Sequence, residues 1–358
     1  VDKQLIFVFP GELATLTGGY AYDRRIVKGL QSLGWHIQSI SLGEGYPFPS
    51  RKQLDKAADL LLSLELGVPM VVDGLALGAL PDLAGLLAKR HPIIGLVHHP
   101  LAFESGLRSD QVTFLQDSEK KSLLHVKKVI ANSPKTARDL TDFYGVPSQR
   151  VAVILPGTDR PKNAQNHLTK AAQSSRPVQL LSVGSVIPRK AFHILVEALR
   201  SLQSLSWTLT IAGDVTRDAN TFAHLQEVIG RYWLADRIHV LGAISDVALQ
   251  QLYAQSDVFV LPSLYEGYGM VFAEAMANGL PIISTTGGAI TETVPKQAGV
   301  LVEPGNVASL RDAIQWLIED EAYRWQLAQG AKSAAEKQPS WEESVQKFDG
   351  LLSQVMAN

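Results

Sequence analysis

Two glutamates carry the most chemistry per residue in this chain. Glu266 and Glu274 stand with seven residues between them in EGYGMVFAE. Glu266 lies in a loop where Gly267 and Gly269 permit unusual backbone angles and a close ligand approach. The backbone N–H groups of Tyr268, Gly269 and Met270 open a predicted helix, and such N–H groups receive anions. Glu274 lies one turn into that helix, among Ala273, Ala275, Met276 and Ala277. A lone acid on such a face needs partners, and ligand hydroxyls suffice. Two acceptors flanking an anion-receiving helix start suit a polyhydroxylated phosphate ester. A loop acid plus a solvated helix acid is the alternative.

Three further groups could join them. Arg189 and Lys190 precede a helix, where the helix dipole disfavours cations. A bound anion such as a diphosphate offsets this, and a solvated surface pair is the alternative. His98 and His99 follow the apolar run Ile93 to Val97, at the carboxyl end of a predicted strand. In open α/β sheets ligands bind at that end. Gly18 and Gly19 precede a helix expected from Tyr20 to Leu33, an anion cradle or an ordinary turn. Glu12 and Thr17 lie near them. Glu104 is the next acid after the histidines, an acceptor ligand or a helix N-terminal acid. Ser133 suits either ligand contact or a helix N-cap.

These residues need a scaffold, and the pattern supplies one. Short β-branched runs alternate with amphipathic stretches along the whole chain, which predicts parallel sheets of α/β type. Around the glutamates, Val258 to Leu261 reads as a buried strand ended by Pro262. The helix from Met270 ends near Asn278, Gly279 is a left-handed stop, and Ile282 to Ser284 is the next strand. Upstream, strands are expected at Leu5–Phe9, His36–Leu42, Met70–Val72, Val129–Ala131 and Val151–Leu155. Helices are expected at Gln53–Leu64, Leu77–Arg90, Gln111–His125 and Lys135–Tyr144. The polar, aperiodic stretch RPKNAQNHLTKAAQSSR reads as a linker. A second set begins at VQLLSVG, with strands Trp207–Ala212 and Ile238–Leu241. The Gly287-Gly288 loop after the Ile282 strand reads either as facing the ligand or as a structural turn.

Composition narrows the classes. At 358 residues the chain suffices for two domains, and 46% hydrophobic with 19% charged residues fits a globular protein. A net charge of −2 gives no nucleic-acid footprint. There are no cysteines, which excludes disulfides and thiolate chemistry. No apolar run approaches the roughly 18 residues of a membrane span, and no signal-peptide pattern opens the chain. G-x-G-x-x-G in a dinucleotide context, the P-loop motif and D-x-D are all missing.

The segment DVFVLPSLYEGYGMVFAEAMANGLPIISTTGGAITETV resembles the E-x7-E region of retaining GT-B glycosyltransferases of family 4, and weaker likeness runs from residue 5 to about residue 345. The resemblance implies a GT-B fold: two Rossmann-like parallel-sheet domains facing a central cleft. It divides the chain into 1–160, a linker at 161–176, a nucleotide-sugar domain at 177–338, and a helix at 339–358 that returns to the first domain, with Trp341 near the crossing. It further implies transfer of a sugar from a nucleotide diphosphate sugar to an acceptor hydroxyl, with retention. Glu274 would take the ribose hydroxyls. Glu266, Gly267 and the amides of Tyr268, Gly269 and Met270 would take the donor sugar and its phosphates. Arg189 and Lys190 would neutralise the leaving diphosphate, with Ala191 and Ser185 departing from the family's usual glycine and basic residue. His98, rather than His99, would orient the sugar. Gly18, Gly19 and Gly184 are expected on the donor side, and Ala243 beside the nucleobase. Glu104 is the acceptor candidate.

No metal or other cofactor is expected. The partners implied are a UDP, GDP or ADP sugar and a carbohydrate or lipid-linked acceptor, with a cytoplasmic location and peripheral contact with a membrane left open. A GT-B epimerase or hydrolase, and a non-catalytic sugar-nucleotide-binding subunit, are the alternatives. Base, sugar, acceptor and oligomeric state leave no trace in the sequence.

Overall fold

The computed structural model describes residues 3–161 and 176–357, so most of the expected linker, 162–175, lies outside the described residues. The chain divides into two compact units, Val1–Gly157 with Pro339–Asn358, and Thr158–Gln338. Each is built on one six-stranded parallel sheet.

The first unit contains β1 (Gln4–Phe9), α1 (Gly18–Ser32), β2 (His36–Ser41), α2 (Arg51–Leu62), β3 (Met70–Asp73), α3 (Gly74–Leu77), α4 (Pro81–Leu87), β4 (Ile93–Val97), α5 (Ser109–Leu123), β5 (Lys128–Ala131), α6 (Pro134–Asp142) and β6 (Val151–Val153). Its strand order is β2-β1-β3-β4-β5-β6. β3 and β4 are buried at every residue, as parallel strands covered on both faces must be. That is why their sequences run apolar rather than alternating. The helix expected over Leu77–Arg90 is instead two short helices, α3 and α4. Pro81 opens the second: it has no N–H to donate backwards, and it restricts Leu80 before it.

The second unit contains β7 (Val178–Val183), α7 (Phe192–Leu199), β8 (Trp207–Ala212), α8 (Ala219–Arg231), β9 (Ile238–Gly242), α9 (Asp246–Gln255), β10 (Val258–Leu261), α10 (Met270–Ala277), β11 (Ile282–Thr285), α11 (Ile290–Thr293), β12 (Gly299–Val302), α12 (Val307–Glu319) and α13 (Glu321–Ala335). Its order is β12-β11-β10-β7-β8-β9. The strand β12 was not expected. It is short, and Gly299 lets its backbone pass β11, since a Cβ there would stand 2.3 Å from the Ile282 carbonyl oxygen. Trp207, Phe192, Phe259 and Phe272 are fully buried in this unit's core.

The last helix, α14 (Trp341–Ala357), belongs to the first unit. It lies on α1, where Gly29 admits Val345: a Cβ at residue 29 would stand 2.3 Å from a Val345 methyl. Ser344 donates to the Leu155 carbonyl at 2.8 Å, and Trp341 meets Tyr22 edge-on with ring centroids 5.9 Å apart. No helix among the described residues is long and apolar enough to cross a membrane.

In both sheets the strand order reverses once, between β1 and β3 and between β7 and β10. Chains leaving such strands turn to opposite faces, which opens a crevice beyond their carboxyl ends. The candidate residues gather at these two places.

Candidate active site

In the second unit the crevice lies beyond β7 and β10. β7 ends at Val183, and the chain runs through Gly184 into a single 3-10 turn, Pro188–Lys190. Ala191 then takes the left-handed conformation at φ 52° and starts α7. This is the position where the resemblance implies a glycine, and the backbone keeps the glycine-like angle although the residue has changed. β10 ends at Leu261 and leads through Pro262 and Ser263 to Glu266. Gly269, at φ 84°, caps α10, and a Cβ there would stand 2.4 Å from the Phe272 ring.

The two loops are joined by charge. Glu266 is buried, and its carboxylate accepts from Lys190 Nζ at 2.5 Å, Arg189 Nη1 at 2.9 Å and Ser263 Oγ at 2.6 Å. Arg189 also donates to the Tyr265 carbonyl at 2.8 Å, and its own carbonyl accepts from Leu264 N at 2.8 Å. Burial alone would raise the Glu266 pKa. Lys190 and Arg189 outweigh it, with hydrogen bonds from Lys190 and Ser263, and hold the carboxyl at about 2. Three residues from two separate sequence expectations thus meet in one cluster, and the anion between the two cations is the protein's own.

Neighbouring glycines explain why the loop stays in place. A Cβ on Gly288 would stand 2.3 Å from the Glu266 carbonyl oxygen, and one on Gly287 would stand 2.2 Å from that of Leu264. Ala289 N donates to Glu266 O at 2.8 Å. The Gly287-Gly288 loop therefore packs against the backbone that carries Glu266. Glu274 is partly exposed on α10, and its Oε2 accepts from Tyr253 Oη at 3.0 Å. Tyr268 is buried, with burial pushing its pKa up to about 12, and its carbonyl accepts from Thr293 Oγ1 at 2.6 Å. Gly184 lies at the cluster's edge, where a Cβ would stand 3.3 Å from Lys190 Cε. Ala243 is exposed just beyond β9, and the preceding Gly242 accepts through its carbonyl from Gly213 N at 2.9 Å.

In the first unit His98 follows β4, the strand next to β3. Its Nε2 lies 3.0 Å from Asp23 Oδ1 and 3.5 Å from Asp73 Oδ2. Both aspartates are buried. Asp73 is the last residue of β3 and caps α3 by accepting from Leu75 N at 2.8 Å, while Asp23 projects from α1. Burial works against charge on the imidazole. Asp23 first and then Asp73 overcome it and push the His98 pKa up to about 10. The sequence reading missed both aspartates. An acid ending the otherwise apolar MVVD was the available signal, since it repeats the strand-end position of His98.

The other expectations fall out locally. Gly19 admits the His98 ring, because a Cβ there would lie 3.1 Å from His98 Cδ2, whereas a Cβ on Gly18 would meet nothing within 4 Å. Thr17 is the N-cap of α1 and accepts from Tyr20 N at 3.2 Å. Ser133 is the N-cap of α6 and accepts from Thr136 N at 3.0 Å. His99 Nε2 lies 3.3 Å from Glu104 Oε2. Glu104 follows the turn Leu101–Phe103, and the next helix begins only at Ser109, so it is not a helix N-terminal acid.

Among the described residues one group has metal-site proximity: Asp23, Asp73 and His98 offer ligand atoms within 4.8 Å of one another. His98 Nε2 pairs with Asp23 Oδ1 within this group, while Asp23 Oδ2 and His98 Nδ1 are buried without a hydrogen-bond partner.

Comparisons with known proteins bear on the family and the fold. The model described as Glycosyl transferases group 1 matches residues 164–334, and the one described as Glycosyltransferase Family 4 matches residues 70–161. A D-inositol 3-phosphate glycosyltransferase of Salinispora arenicola is 29% identical over 299 residues, covering 75% of this chain and 64% of that protein. The chain spans 64%, 57% and 56% of the length of three such relatives. Sucrose-phosphate synthase from Thermosynechococcus elongatus has the same fold, with a TM-score of 0.83, 21% identity and 99% of each chain covered. The Anabaena protein HepE in complex with UDP and glucose follows at a TM-score of 0.74 and 21% identity, covering 97% of this chain and 99% of that one. The two parallel-sheet units are thus those of the GT-B fold.

Proposed function

We propose, from the premise that the chain belongs to the group 1 glycosyltransferases, that it moves a sugar from a nucleotide diphosphate sugar to an acceptor hydroxyl with retention of configuration. The observation that carries the reading is the Arg189–Glu266–Lys190 cluster at the strand-order reversal of the second sheet. Two cations held nine-tenths buried or nearly so are fitted to stabilise a departing diphosphate, because a water-poor site strengthens each charge interaction.

In this reading Arg189 and Lys190 take the diphosphate, together with the amides that open α10 at Met270. No metal ion is required, since the two side chains supply the countercharge. Glu266 fixes both cations and reaches the donor sugar. Glu274, partly exposed, accepts from the ribose hydroxyls. In the first unit, His98 is held charged by Asp23 and Asp73, with Gly19 against its ring. The leaving phosphate takes the acceptor proton, so no separate general base is needed. The donor carries UDP, GDP or ADP, and UDP is the first to test because HepE is described in complex with UDP and glucose.

The test is incubation with UDP-, GDP- and ADP-sugars, with and without mixed carbohydrate and lipid-linked acceptors, in buffer with and without a chelator. Transfer predicts nucleoside diphosphate release that depends on acceptor and persists after chelation. Release without acceptor would point to hydrolysis. Binding with no turnover on any acceptor would refute the catalytic reading.

A further inference from the structure

We infer that Tyr253 is a positioning residue for the nucleotide: its hydroxyl holds one oxygen of Glu274 so that the carboxylate meets the ribose hydroxyls in a fixed orientation. The inference deepens the reading above and rests on its assignment of Glu274.

Tyr253 lies on α9 and is fully buried. Its ring joins an aromatic series with Phe259 and Phe272. It lies tilted to Phe259 of β10 with centroids 6.2 Å apart, and Phe259 meets Phe272 of α10 edge-on at 5.8 Å. A phenylalanine would fill the same space. The hydroxyl is what needs explaining, because a buried O–H without a partner is destabilising. Its partner is Glu274 Oε2, at 3.0 Å. Burial first, and then the Glu274 charge and hydrogen bond, raise the tyrosine pKa well above its ordinary value, so the group is a proton donor across the neutral range.

Glu274 stands where such a tether matters. It sits two residues after Phe272 on an eight-residue helix, and it remains partly exposed while its neighbours Ala273 and Ala275 are buried. The backbone is also fixed at this point, because Asn278 Nδ2 donates to the Glu274 carbonyl at 2.9 Å. A glutamate side chain has three rotatable bonds, and ordering them on ligand binding opposes affinity. The Tyr253 hydroxyl orders them beforehand. It also leaves the charge on the carboxylate, since a neutral donor shares the anion without cancelling it.

The experiment is calorimetric titration with UDP, GDP and ADP of the wild type, Tyr253→Phe, Glu274→Gln and the double variant. The nucleotide that wild type binds tightest is then repeated as its 2′,3′-dideoxy form. Tyr253→Phe should raise the Kd about 3- to 10-fold, the scale of one ordinary hydrogen bond, and should raise KM for the donor more than it lowers kcat. The double variant should bind no more weakly than Glu274→Gln alone, because the hydroxyl acts only through that carboxylate. With the dideoxy nucleotide the Tyr253→Phe effect should vanish. An unchanged Kd in Tyr253→Phe beside a weakened Glu274→Gln would overturn the inference and leave the parent reading intact, as would full additivity in the double variant. An unchanged Kd in Glu274→Gln would overturn both. A circular-dichroism melt of each variant separates these outcomes from unfolding. If Tyr253→Phe does not fold, Glu274→Gln with normal and dideoxy nucleotide still decides whether this carboxylate reads the ribose.

Discussion

Glu266→Gln tests the physics of the site most directly. The substitution keeps the side-chain shape and removes the charge between Arg189 and Lys190. The carboxyl is held at about 2 against an ordinary 4.5, which corresponds to about 3 kcal/mol of native stability at neutral pH. The general experience that removing one partner of a buried pair costs about 3–5 kcal/mol points to the same size. The lower end applies here, because Arg189 keeps the Tyr265 carbonyl as an acceptor and Ser263 can turn to the new amide. Because the folded pKa is depressed, this contribution is fully present above pH 4.5 and is lost as pH falls through about 2. The difference between wild type and variant should therefore narrow below pH 4.5. The assay is denaturant or calorimetric unfolding of the unit spanning Thr158–Gln338, at pH 7 and at pH 4, with and without saturating UDP. At pH 7 the variant should lose about 3 kcal/mol. Bound nucleoside diphosphate should shrink that loss, because its phosphates replace the missing anion between the two cations. A loss below about 1 kcal/mol, or a loss that ligand leaves unchanged, would show that Glu266 is not the counter-ion this reasoning makes it.

Other outcomes follow from the same geometry. Lys190→Ala should lower turnover about 100- to 1000-fold, the scale of one well-placed donor to a developing charge, while Glu266 keeps Arg189 and Ser263 and the fold survives; steady-state kinetics beside a melting curve measure both. His98 should remain an imidazolium at pH 8, visible in histidine-labelled nitrogen NMR spectra, and Asp23→Asn should make it neutral at that pH. Its raised pKa stabilises the fold fully below 6.5, and that share is lost as pH rises through about 10. Glu119 behaves oppositely. It is buried on α5, where burial pushes its carboxyl up to about 8 against the donation from Leu101 N. The fold is therefore penalised as pH climbs from 4.5 to 8, and Glu119→Gln should raise the melting temperature by an amount that grows over that range.

Much of the framework was legible in local pattern. A strand buried on both faces is mostly apolar, so β3, β4, β10 and β11 announced themselves by short apolar runs, with polar residues only at the carboxyl ends of β3 and β11. Glycine and proline marked the ends, and the spacing of Glu266 and Glu274 placed one on a loop and the other on a helix. Local pattern failed where the deciding contact was distant. Nothing near Gly299 shows that its backbone must pass Ile282. The break in Leu77–Arg90 is different, because its signal, Pro81, is local.

The site divides along the same line. The sequence by itself determined which residues reach the carboxyl ends of strands: Arg189 and Lys190 after β7, Glu266 after β10, and His98 after β4. Only the tertiary structure decided their partners. Glu266 meets Lys190 across 76 residues of chain, and His98 meets Asp23 across 75. Those pairs exist because the strand order reverses between β7 and β10 and between β1 and β3, bringing loops far apart in the chain to one edge. Charge pairing depends on distance in space, and in a parallel sheet that distance is set by strand order rather than by position in the chain.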